Sequence, residues 1–298
     1  MQDRDVIQRF LFEDLPIRGE LVHLDASWQE VLRRHEYPSA VRNLLGEMLT
    51  AAVLLSSTLK FEGSLIIQIQ GNGPVRLAVA ECTSDKTLRG LAQWDGDVEN
   101  KSFDALIGDS TLVITIDPEV GERYQGVVDC KQGSLATAIE DYMSRSQQIE
   151  TRIWLTGHVH STAGMLLQQM PGTVNEYGVD DDSETEEAWS RLTHLAATIH
   201  NNELLELPFQ EILHRLFHEE DVRIFEKQIV SFRCSCTHDR VREMLRMIGL
   251  TEVRSIIEEQ GKIGVHCQFC NHYYEFDRVD AELLFVSDVS TDLSSSQH

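Results

Sequence analysis

Four cysteines near the C-terminus have the types and spacing to bind a metal. Cys234 and Cys236 form a CxC motif, and Cys267 and Cys270 form a CxxC motif, with residues 237–266 between the two pairs. Two thiol pairs joined by a segment of this size are typical of a tetrahedral Cys₄ zinc site, because each local turn supplies two ligands. The spacing therefore predicts one Zn²⁺ per chain. Three neighbouring histidines are not needed as ligands: His238, His266 and His272.

The same thiols also permit redox chemistry. Four thiolates on one Zn²⁺ leave a net charge of about −2, and sulfur bound in this way remains open to oxidants. Oxidation to disulfides would release the metal, and a small module held by it would lose folding energy. Most Cys₄ sites are purely structural, however, so the cysteines alone leave a zinc ribbon and a redox switch both open.

The charge of the chain argues against two classes of partner. The sequence has 49 acidic and 26 basic residues, a formal net charge of −23 at pH 7. Such a chain is repelled by nucleic acid backbones and by anionic membranes. The segment from Cys234 onward has six basic residues and nearly twice as many acidic ones, the wrong sign for a nucleic-acid-binding zinc ribbon. A dithiol oxidoreductase is also disfavoured, because the CxxC motif precedes an apparent strand rather than opening a helix.

The N-terminal sequence favours a cytoplasmic protein. Its first fifteen residues mix charges into every turn and contain no apolar core or small-residue cleavage site. The most apolar stretch, residues 44–58, contains Glu47 and is too short to span a bilayer. In the reducing cytoplasm, clustered cysteines are metal sites or redox sensors rather than structural disulfides.

The periodicity of the first 170 residues predicts an α+β domain. Helices are expected at 27–34, capped by Ser27, then from Ser39 through a stretch apolar nearly all round, and at 134–146, capped by Ser134. Strands are expected between them, including a hairpin of 64–70 and 75–81 around a Gly-Asn-Gly-Pro turn. Meandering strands with inserted helices predict one large, mostly antiparallel sheet.

A change in composition follows this domain. An acidic run at 178–187 reads as a solvated linker, and two amphipathic helices are expected at 188–206 and 208–219. Their apolar stripe must be covered, either as permanent core or as a conditional contact, and periodicity alone favours permanent core. Around the cysteines we predict helices at 239–248, 252–259 and 277–286, a hairpin of 263–266 with 272–276, and a disordered tail at 291–298.

No other motif predicts catalysis. His158 and His160 form an HxH pair on an expected strand but have no nearby carboxylate or thiol partner. Cys82 and Cys130 are isolated at strand ends and are expected to be ordinary, partly buried thiols. There is no GxSxG, P-loop or HExxH motif. We therefore expect a protein that is not an enzyme.

The cysteine arrangement on an acidic chain of this length resembles the redox-regulated 33 kDa chaperonin, a heat-shock holdase family. Further stretches match that family along essentially the whole chain: RFLFEDLPIRGELV at 9–22, LKFEG at 59–63, QGNGPVRLAVAE at 70–81, GERYQGVV at 121–128, MLLQQMP at 165–171, HEEDVRIFE at 218–226, FRCSC at 232–236 and VHCQFCNHYYEF at 265–276. One further cysteine sometimes found just after the CxC motif is absent, and Val241 stands there.

The resemblance implies a zinc-dependent switch. Reduced, Cys234, Cys236, Cys267 and Cys270 would hold zinc in an inactive protein; oxidant and heat would form the disulfides Cys234–Cys236 and Cys267–Cys270 and release the metal. It further implies an ATP-independent chaperone that binds unfolded clients, dimerises when oxidised, and uses neither nucleic acid nor membrane. The domains would be an N-terminal client-binding and dimerisation domain (1–177), a metastable linker (178–232), a zinc domain (233–290) and a tail (291–298).

Overall fold

Two six-stranded sheets, a buried central helix and a small cysteine-bearing unit make up the computed structural model, which describes residues 3–60, 62–130, 133–170 and 182–289. The chain divides into two compact units, Met1–Arg233 and Cys234–His298. None of the helices in this described part combines the length and the hydropathy needed to cross a lipid bilayer. The division into client-binding domain, linker, zinc domain and tail stays a prediction, since the helices after residue 182 cluster with the first unit.

The first unit contains these elements in chain order: β1 (Val6–Phe12), β2 (Ile17–Leu24), α1 (Ala26–Leu32), α2 (Ser39–Thr58), β3 (Gly63–Gly71), β4 (Val75–Thr83), β5 (Thr87–Trp94), α3 (Phe103–Ile107), β6 (Ser110–Pro118), β7 (Tyr124–Cys130), α4 (Leu135–Tyr142), a π-helix (Met143–Gln147), β8 (Thr151–Gly157), β9 (Thr162–Gln169), α5 (Asp182–Ala196), α6 (Asn201–Glu206), α7 (Phe209–Phe217), β10 (Val222–Ile224), β11 (Gln228–Ile229) and β12 (Ser231–Phe232). The predicted α+β class is confirmed.

The strands form two sheets instead of the one expected. Sheet A has the order β10-β1-β2-β9-β8, with β11 also pairing with β1, and sheet B has the order β12-β5-β4-β3-β6-β7. All pairs are antiparallel except β12 with β5. The alternation of side chains predicts a strand but not its partner, which is why the division into two sheets was not visible in the sequence.

Helix α2 lies at the centre of the first unit. It is apolar nearly all round, and its buried side chains share one core cluster with residues of both sheets. A helix without a polar face cannot border water, so both sheets pack around it. The predicted central buried helix is confirmed.

The predicted cap of the first helix was wrong. α1 begins at Ala26, and Ser27 lies inside it. Asp5 replaces the expected cap: its carboxylate accepts the backbone N–H groups of Asp25 (3.1 Å), Ala26 (2.9 Å) and Ser27 (2.8 Å) and also the Ser27 hydroxyl. Free N–H groups at a helix start can be satisfied from a distant chain segment, which a local pattern does not show. The Ser134 cap is confirmed, since its hydroxyl accepts the Thr137 N–H at 3.2 Å.

Helices α5, α6 and α7 form a cover on one face of sheet A. Their apolar stripe packs into a single buried cluster with side chains of β1, β2 and β9. Phe217 of α7 lies against Phe10 and Phe12, with ring centroids 6.2 and 5.0 Å apart. The predicted helix 188–206 is broken at residues 197–200, and α6 begins where the His200 N–H donates to Glu203 (3.0 Å). Whether this cover comes off stays a prediction. Residues 178–181 of the acidic run lie outside the described residues.

The second unit is small. It contains α8 (His238–Ile248), α9 (Leu250–Gln260), β13 (Ile263–His266), β14 (Tyr273–Phe276) and α10 (Arg278–Val289), close to the predicted bounds. Gly249 (φ 97°) separates the first two helices and Gly261 (φ 78°) ends the second; both adopt backbone conformations that favour glycine. The strands pair as the predicted hairpin. The predicted disordered tail lies outside the described residues.

Candidate metal centre

The second unit brings all four predicted cysteines together. Cys234 and Cys236 lie on the loop before α8, and Cys267 and Cys270 lie in the turn between β13 and β14. Their four Sγ atoms all lie within 4.8 Å of one another. The Cys234 and Cys267 sulfurs are 3.7 Å apart, and those of Cys236 and Cys270 are 3.3 Å apart. The group could hold a metal ion.

The distances fit a tetrahedral ion. Zinc–sulfur bonds of about 2.3 Å in a regular tetrahedron place the sulfurs about 3.8 Å apart. All four thiols are free rather than joined as disulfides. In the described part of the chain, this group is made of cysteines alone, without histidine or carboxylate. An all-thiolate tetrahedral donor set suits zinc or an iron–sulfur centre rather than a hard cation such as Mg²⁺.

Local hydrogen bonds hold both halves of the cluster. The Thr237 hydroxyl accepts the Arg240 N–H at 3.2 Å and so starts α8 immediately after Cys236. Arg240 also donates to the backbone carbonyl (2.9 Å) and the hydroxyl (2.6 Å) of Ser235, between the two thiols. In the CxxC turn, the Cys267 N–H donates to the His272 carbonyl at 2.9 Å, and Asn271 adopts φ 56°. Asparagine tolerates that conformation better than most residues, which suits this tight turn.

The electrostatics of the four thiols are unequal. Burial raises the pKa of Cys234 and of Cys270. Burial also pushes the pKa of Cys236 upward, but hydrogen bonds from Tyr274 and from the neighbouring thiols outweigh it and lower that pKa. Among Cys234, Cys236 and Cys270, Cys236 is therefore the thiol that loses its proton most readily. A metal ligand must be deprotonated, so metal binding would release protons from this cluster.

The three neighbouring histidines pack against aromatic rings. His238 lies 4.6 Å from Phe276, His266 lies 4.7 Å from Tyr273 and His272 lies 4.6 Å from Tyr274, measured between ring centroids. None of the three belongs to the metal-capable group in the described residues. That the three are neighbours rather than ligands stays a prediction.

Comparison with known proteins identifies the family. The model of the Hsp33 protein family matches residues 5–277. The chain belongs to the Hsp33 family. A 33 kDa chaperonin of Nitrosococcus oceani is 46% identical over 298 residues, all of both chains. One of Methylobacillus flagellatus is 44% identical over 291 residues, 97% of each chain. The fold matches a crystal structure of a 33 kDa chaperonin from Thermotoga maritima with a TM-score of 0.81 at 22% identity, covering 96% of this chain and 99% of that one.

One residue of this Hsp33 centre was missed in the sequence. The Tyr274 hydroxyl donates to the Cys236 sulfur at 3.2 Å, and that bond raises the pKa of Tyr274. The sequence HYYEF predicts only a strand. The available signal was a hydroxyl-bearing aromatic residue four positions after the CxxC motif, on a hairpin that must fold back over the thiols.

Among the described residues, the other candidates of this Hsp33 chain do not form a comparable cluster. His158 and His160 lie just after β8 with ring centroids 5.4 Å apart, and neither belongs to a metal-capable group in the described residues. Cys82 is fully buried, accepts the Ser56 hydroxyl at 3.2 Å, and has its pKa raised to about 11 by burial. Burial also raises the pKa of Cys130. Burial together with a raised pKa is typical of unreactive core thiols.

Proposed function

We propose that this protein is a redox-regulated, ATP-independent chaperone that binds unfolding proteins under oxidative and heat stress. Membership of the Hsp33 family supports the chaperone function and hence the binding of unfolded clients. The observation that supports the proposed redox regulation is the cluster of four thiols, whose sulfurs lie within 4.8 Å of one another in a unit with a small core. The redox switch, the zinc and the disulfides rest on that cluster and on the family resemblance.

The proposed resident metal is Zn²⁺, one per chain in the reduced state. Cys234, Cys236, Cys267 and Cys270 would hold it as four thiolates, and the bound ion would supply folding energy to the second unit. That unit buries nine apolar side chains among its described residues. A core of this size rarely sustains a fold without a metal or disulfides.

Oxidation would remove the ligands. In the proposed step, Cys234 with Cys236 and Cys267 with Cys270 each form a disulfide. Each pair of sulfurs gives two electrons to one molecule of peroxide, whose O–O bond breaks, and with two protons from the thiols or from solvent the peroxide becomes two waters. The sulfurs of Cys234 and Cys267 are 3.7 Å apart, those of Cys236 and Cys270 are 3.3 Å apart, and all four lie within 4.8 Å of one another. A disulfide bond is only about 2.05 Å long, so the proposed pairing within each motif requires a local rearrangement, which heat would assist.

In this proposal, unfolding of the second unit would then let the cover helices α5, α6 and α7 leave sheet A. In this proposal, residues 178–232 are a metastable linker between the client-binding domain, residues 1–177, and the zinc domain, residues 233–290. The cover helices bury a phenylalanine-rich surface of sheet A, and their departure would expose it to clients and to a second copy of the chain. The net charge of −23 would keep client complexes soluble. Nucleic acid and membranes are not proposed partners, the compartment is the cytoplasm, and the role is not enzymatic.

The test measures zinc content, free thiols and suppression of client aggregation in one set of samples. The reduced chain should carry one zinc and suppress aggregation poorly, and peroxide at elevated temperature should remove zinc and the four thiols while activity appears. Cys267→Ser should weaken or abolish zinc binding and uncouple activity from oxidant. Cys130→Ala is the matched control, because it removes a cysteine far from the cluster in sequence and in a different unit.

Three results would contradict the proposal. Zinc retained through oxidation with no gain of activity would leave a structural zinc ribbon. A Cys267→Ser protein that binds zinc and responds to peroxide like the parent would refute the switch. Peptide mapping that recovers disulfides between the two motifs, rather than within them, would refute the proposed pairing.

A further inference from the structure

His23 lies between sheet A and helix α6 of the cover. It is close to the end of β2, where it pairs with Val6 of β1 and Ala163 of β9, and it is only 8% exposed. Its Nε2 atom lies 3.0 Å from the carbonyl oxygen of Leu205 in α6. Because a carbonyl oxygen only accepts hydrogen bonds, Nε2 must carry the proton and donate it. The neutral imidazole ring therefore links sheet A to the cover.

The second nitrogen of the His23 ring has no comparable bond. Nδ1 is buried and makes no hydrogen bond to any of the residues that the structure describes. In the neutral ring this atom is an acceptor without a hydrogen. Protonation would turn it into an N–H donor on a charged ring, enclosed without an acceptor. A buried donor without a partner is costly, and a buried charge more so.

Other titratable groups surround His23 without offsetting its burial. They come from the segment before β1, the segment after β2, the connection between β8 and β9, and α6: Arg4, Asp5, Asp25, His158, His160 and Glu206. Burial lowers the pKa of His23, and the Leu205 carbonyl, Asp25 and Asp5 raise it by less. Arg4 lowers it slightly further. Asp25 pairs with Arg4 at 3.2 Å, and the Asp5 carboxylate accepts N–H groups at the start of α1. None of these described groups accepts a hydrogen bond from Nδ1.

Helix α6 is short and lies beside a cleft. It has six residues, of which only Leu204 is buried, and Glu203 joins it to α7 by an ion pair with Arg215 at 2.9 Å. Helices shorter than about 12 residues are marginal in water without packing partners. A cleft of about 610 Å³ borders His23 and α6. The bond from His23 is therefore a substantial part of what holds α6, and water can reach the ring once α6 moves.

We propose that His23 is an acid-sensitive link, which holds α6 on sheet A while its ring is neutral and lets α6 open when the ring is protonated. With α6 closed, burial keeps the pKa of His23 below its ordinary value of 6.5; with α6 open, the ring is hydrated and regains that value. The closed state therefore binds the proton more weakly. Its stability is complete above pH 6.5 and decreases as the pH falls from 6.5 toward the lowered pKa.

The inference concerns α6 alone and does not rest on the proposed function. Helix α7 keeps its own packing on sheet A, since Phe217 lies against Phe10 and Phe12, and α5 contributes Leu192 to the same buried cluster. Protonation of His23 therefore does not remove the cover, and control of client binding stays with the cysteine unit. In the oxidised protein, acid would add to the release that the thiols begin.

The test compares the opening of α6 at pH 7.5 and at pH 5.5 in the reduced, full-length chain. Hydrogen exchange followed by mass spectrometry measures protection in the peptides that contain α6, corrected for the exchange rate of free amides at each pH. The parent should open α6 about tenfold more readily at pH 5.5, because a histidine of pKa 6.5 is about nine-tenths protonated there. His23→Gln keeps an amide donor for the Leu205 carbonyl and cannot take up the proton, so its opening should not depend on pH.

His160→Gln is the matched control. His160 lines the same cleft, is exposed, and receives the same substitution, so this variant should keep the tenfold rise. A nitrogen-15 NMR titration of the parent needs no substitution and should find the His23 proton on Nε2 at pH 7.5. A parent without the rise, a rise of equal size in His23→Gln, or a proton on Nδ1 at pH 7.5 would overturn the proposal. A rise of equal size in α2 would also overturn it, because the whole first unit would then be opening.

Failure of this inference can be told apart from failure of the proposed function. Opening of α6 is measured without oxidant, and aggregation suppression is measured separately in the oxidised protein. Normal oxidant-dependent chaperone activity with an α6 that opens equally at both pH values would refute the His23 link alone. Acid-dependent opening that requires His23, without any chaperone activity, would support the link and refute the function.

Discussion

The two units of this chain achieve stability by different means. The first unit buries thirty-nine apolar side chains in one cluster around α2 and sixteen more under the cover, counted over the described residues. The second buries nine. Buried apolar area is the main favourable term in folding, so the first unit can fold on its own core while the second lies near the lower limit for doing so.

This difference shows where a chemical signal can act. An oxidant would react only slowly with a thiol in the large core, because Cys82 is fully buried and burial raises its pKa to about 11. Three of the four clustered thiols, Cys234, Cys236 and Cys267, are half-buried rather than buried, and Cys236 has a lowered pKa. In the proposed switch, the sulfur that reacts therefore lies in the unit whose folding would depend most on it.

Metal removal should have the largest effect and should be confined to one unit. Structural zinc supplies about 10 kcal/mol or more to small modules. A strong chelator should therefore unfold residues 234–289 and leave sheets A and B folded. Hydrogen exchange followed by mass spectrometry should show fast exchange in α8 and α9 and slow exchange in α2. Adding zinc back should restore protection, and a second unit that stays protected without metal would contradict the comparison.

The next largest effect should come from a substitution that weakens the packing of the cover on sheet A. Phe217→Ala removes the ring packed on Phe10 and Phe12 and should weaken the docking of α7 by about 3–5 kcal/mol, the range for such changes in a core. Limited proteolysis should then cut between residues 178 and 232 in the reduced protein, the segment in which we expect the oxidised parent to be cut first. Ile229→Ala, at a site 78% exposed, is the control and should resist cleavage like the parent. Equal resistance of both variants would contradict the idea of a marginal cover.

The sequence predicted elements better than their arrangement. The alternation in residues 64–81 and the Gly-Asn-Gly-Pro turn predicted the β3–β4 hairpin, and Ser134 predicted the start of α4. The exposed edge of β7 could not be predicted, because whether a strand is central or peripheral depends on pairings between distant segments. The cap supplied by Asp5 is missing from the local pattern for the same reason.

The cysteine cluster was predictable and its surroundings were not. Spacing alone predicted that the two thiol pairs would meet, since few other structures require CxC and CxxC motifs at that distance. The contact from Tyr274 to Cys236 depends on the register of β14 against β13, which the thiol spacing does not encode. Second-layer contacts of this kind require the folded geometry.

A buried carboxyl group makes the stability of the large core depend on pH. Burial raises the pKa of Glu20 to about 7, although Ser57, Arg18 and Lys86 act to lower it. Because the folded pKa exceeds the unfolded value of 4.5, the folded state holds the proton more tightly. The stability from Glu20 is therefore complete below pH 4.5 and is lost as the pH rises through 7.

Glu20→Gln should remove this pH dependence. The free energy of unfolding of the variant relative to the parent should rise by on the order of 2–3 kcal/mol between pH 5 and pH 8. Urea unfolding at both pH values measures this difference. Glu122→Gln, at an exposed site, is the control, and its stability relative to the parent should be the same at both pH values. A parent whose stability in the first unit does not fall over this range would contradict the assignment.

The smallest predicted effect concerns the hydroxyl of Tyr274. Tyr274→Phe keeps the buried ring of the small core and removes the hydrogen bond to the Cys236 sulfur. In the parent, that hydrogen bond lowers the pKa of the Cys236 thiol. The affinity for zinc should fall about tenfold, the lower end of the range for residues that support metal ligands. Competition with a chromophoric chelator measures this. Tyr273→Phe is the matched control, because its hydroxyl donates to Glu275 at 3.1 Å rather than to a thiol. Equal affinities in the two variants would mean that the metal centre depends on its four cysteines and the packing around them, without the tyrosine.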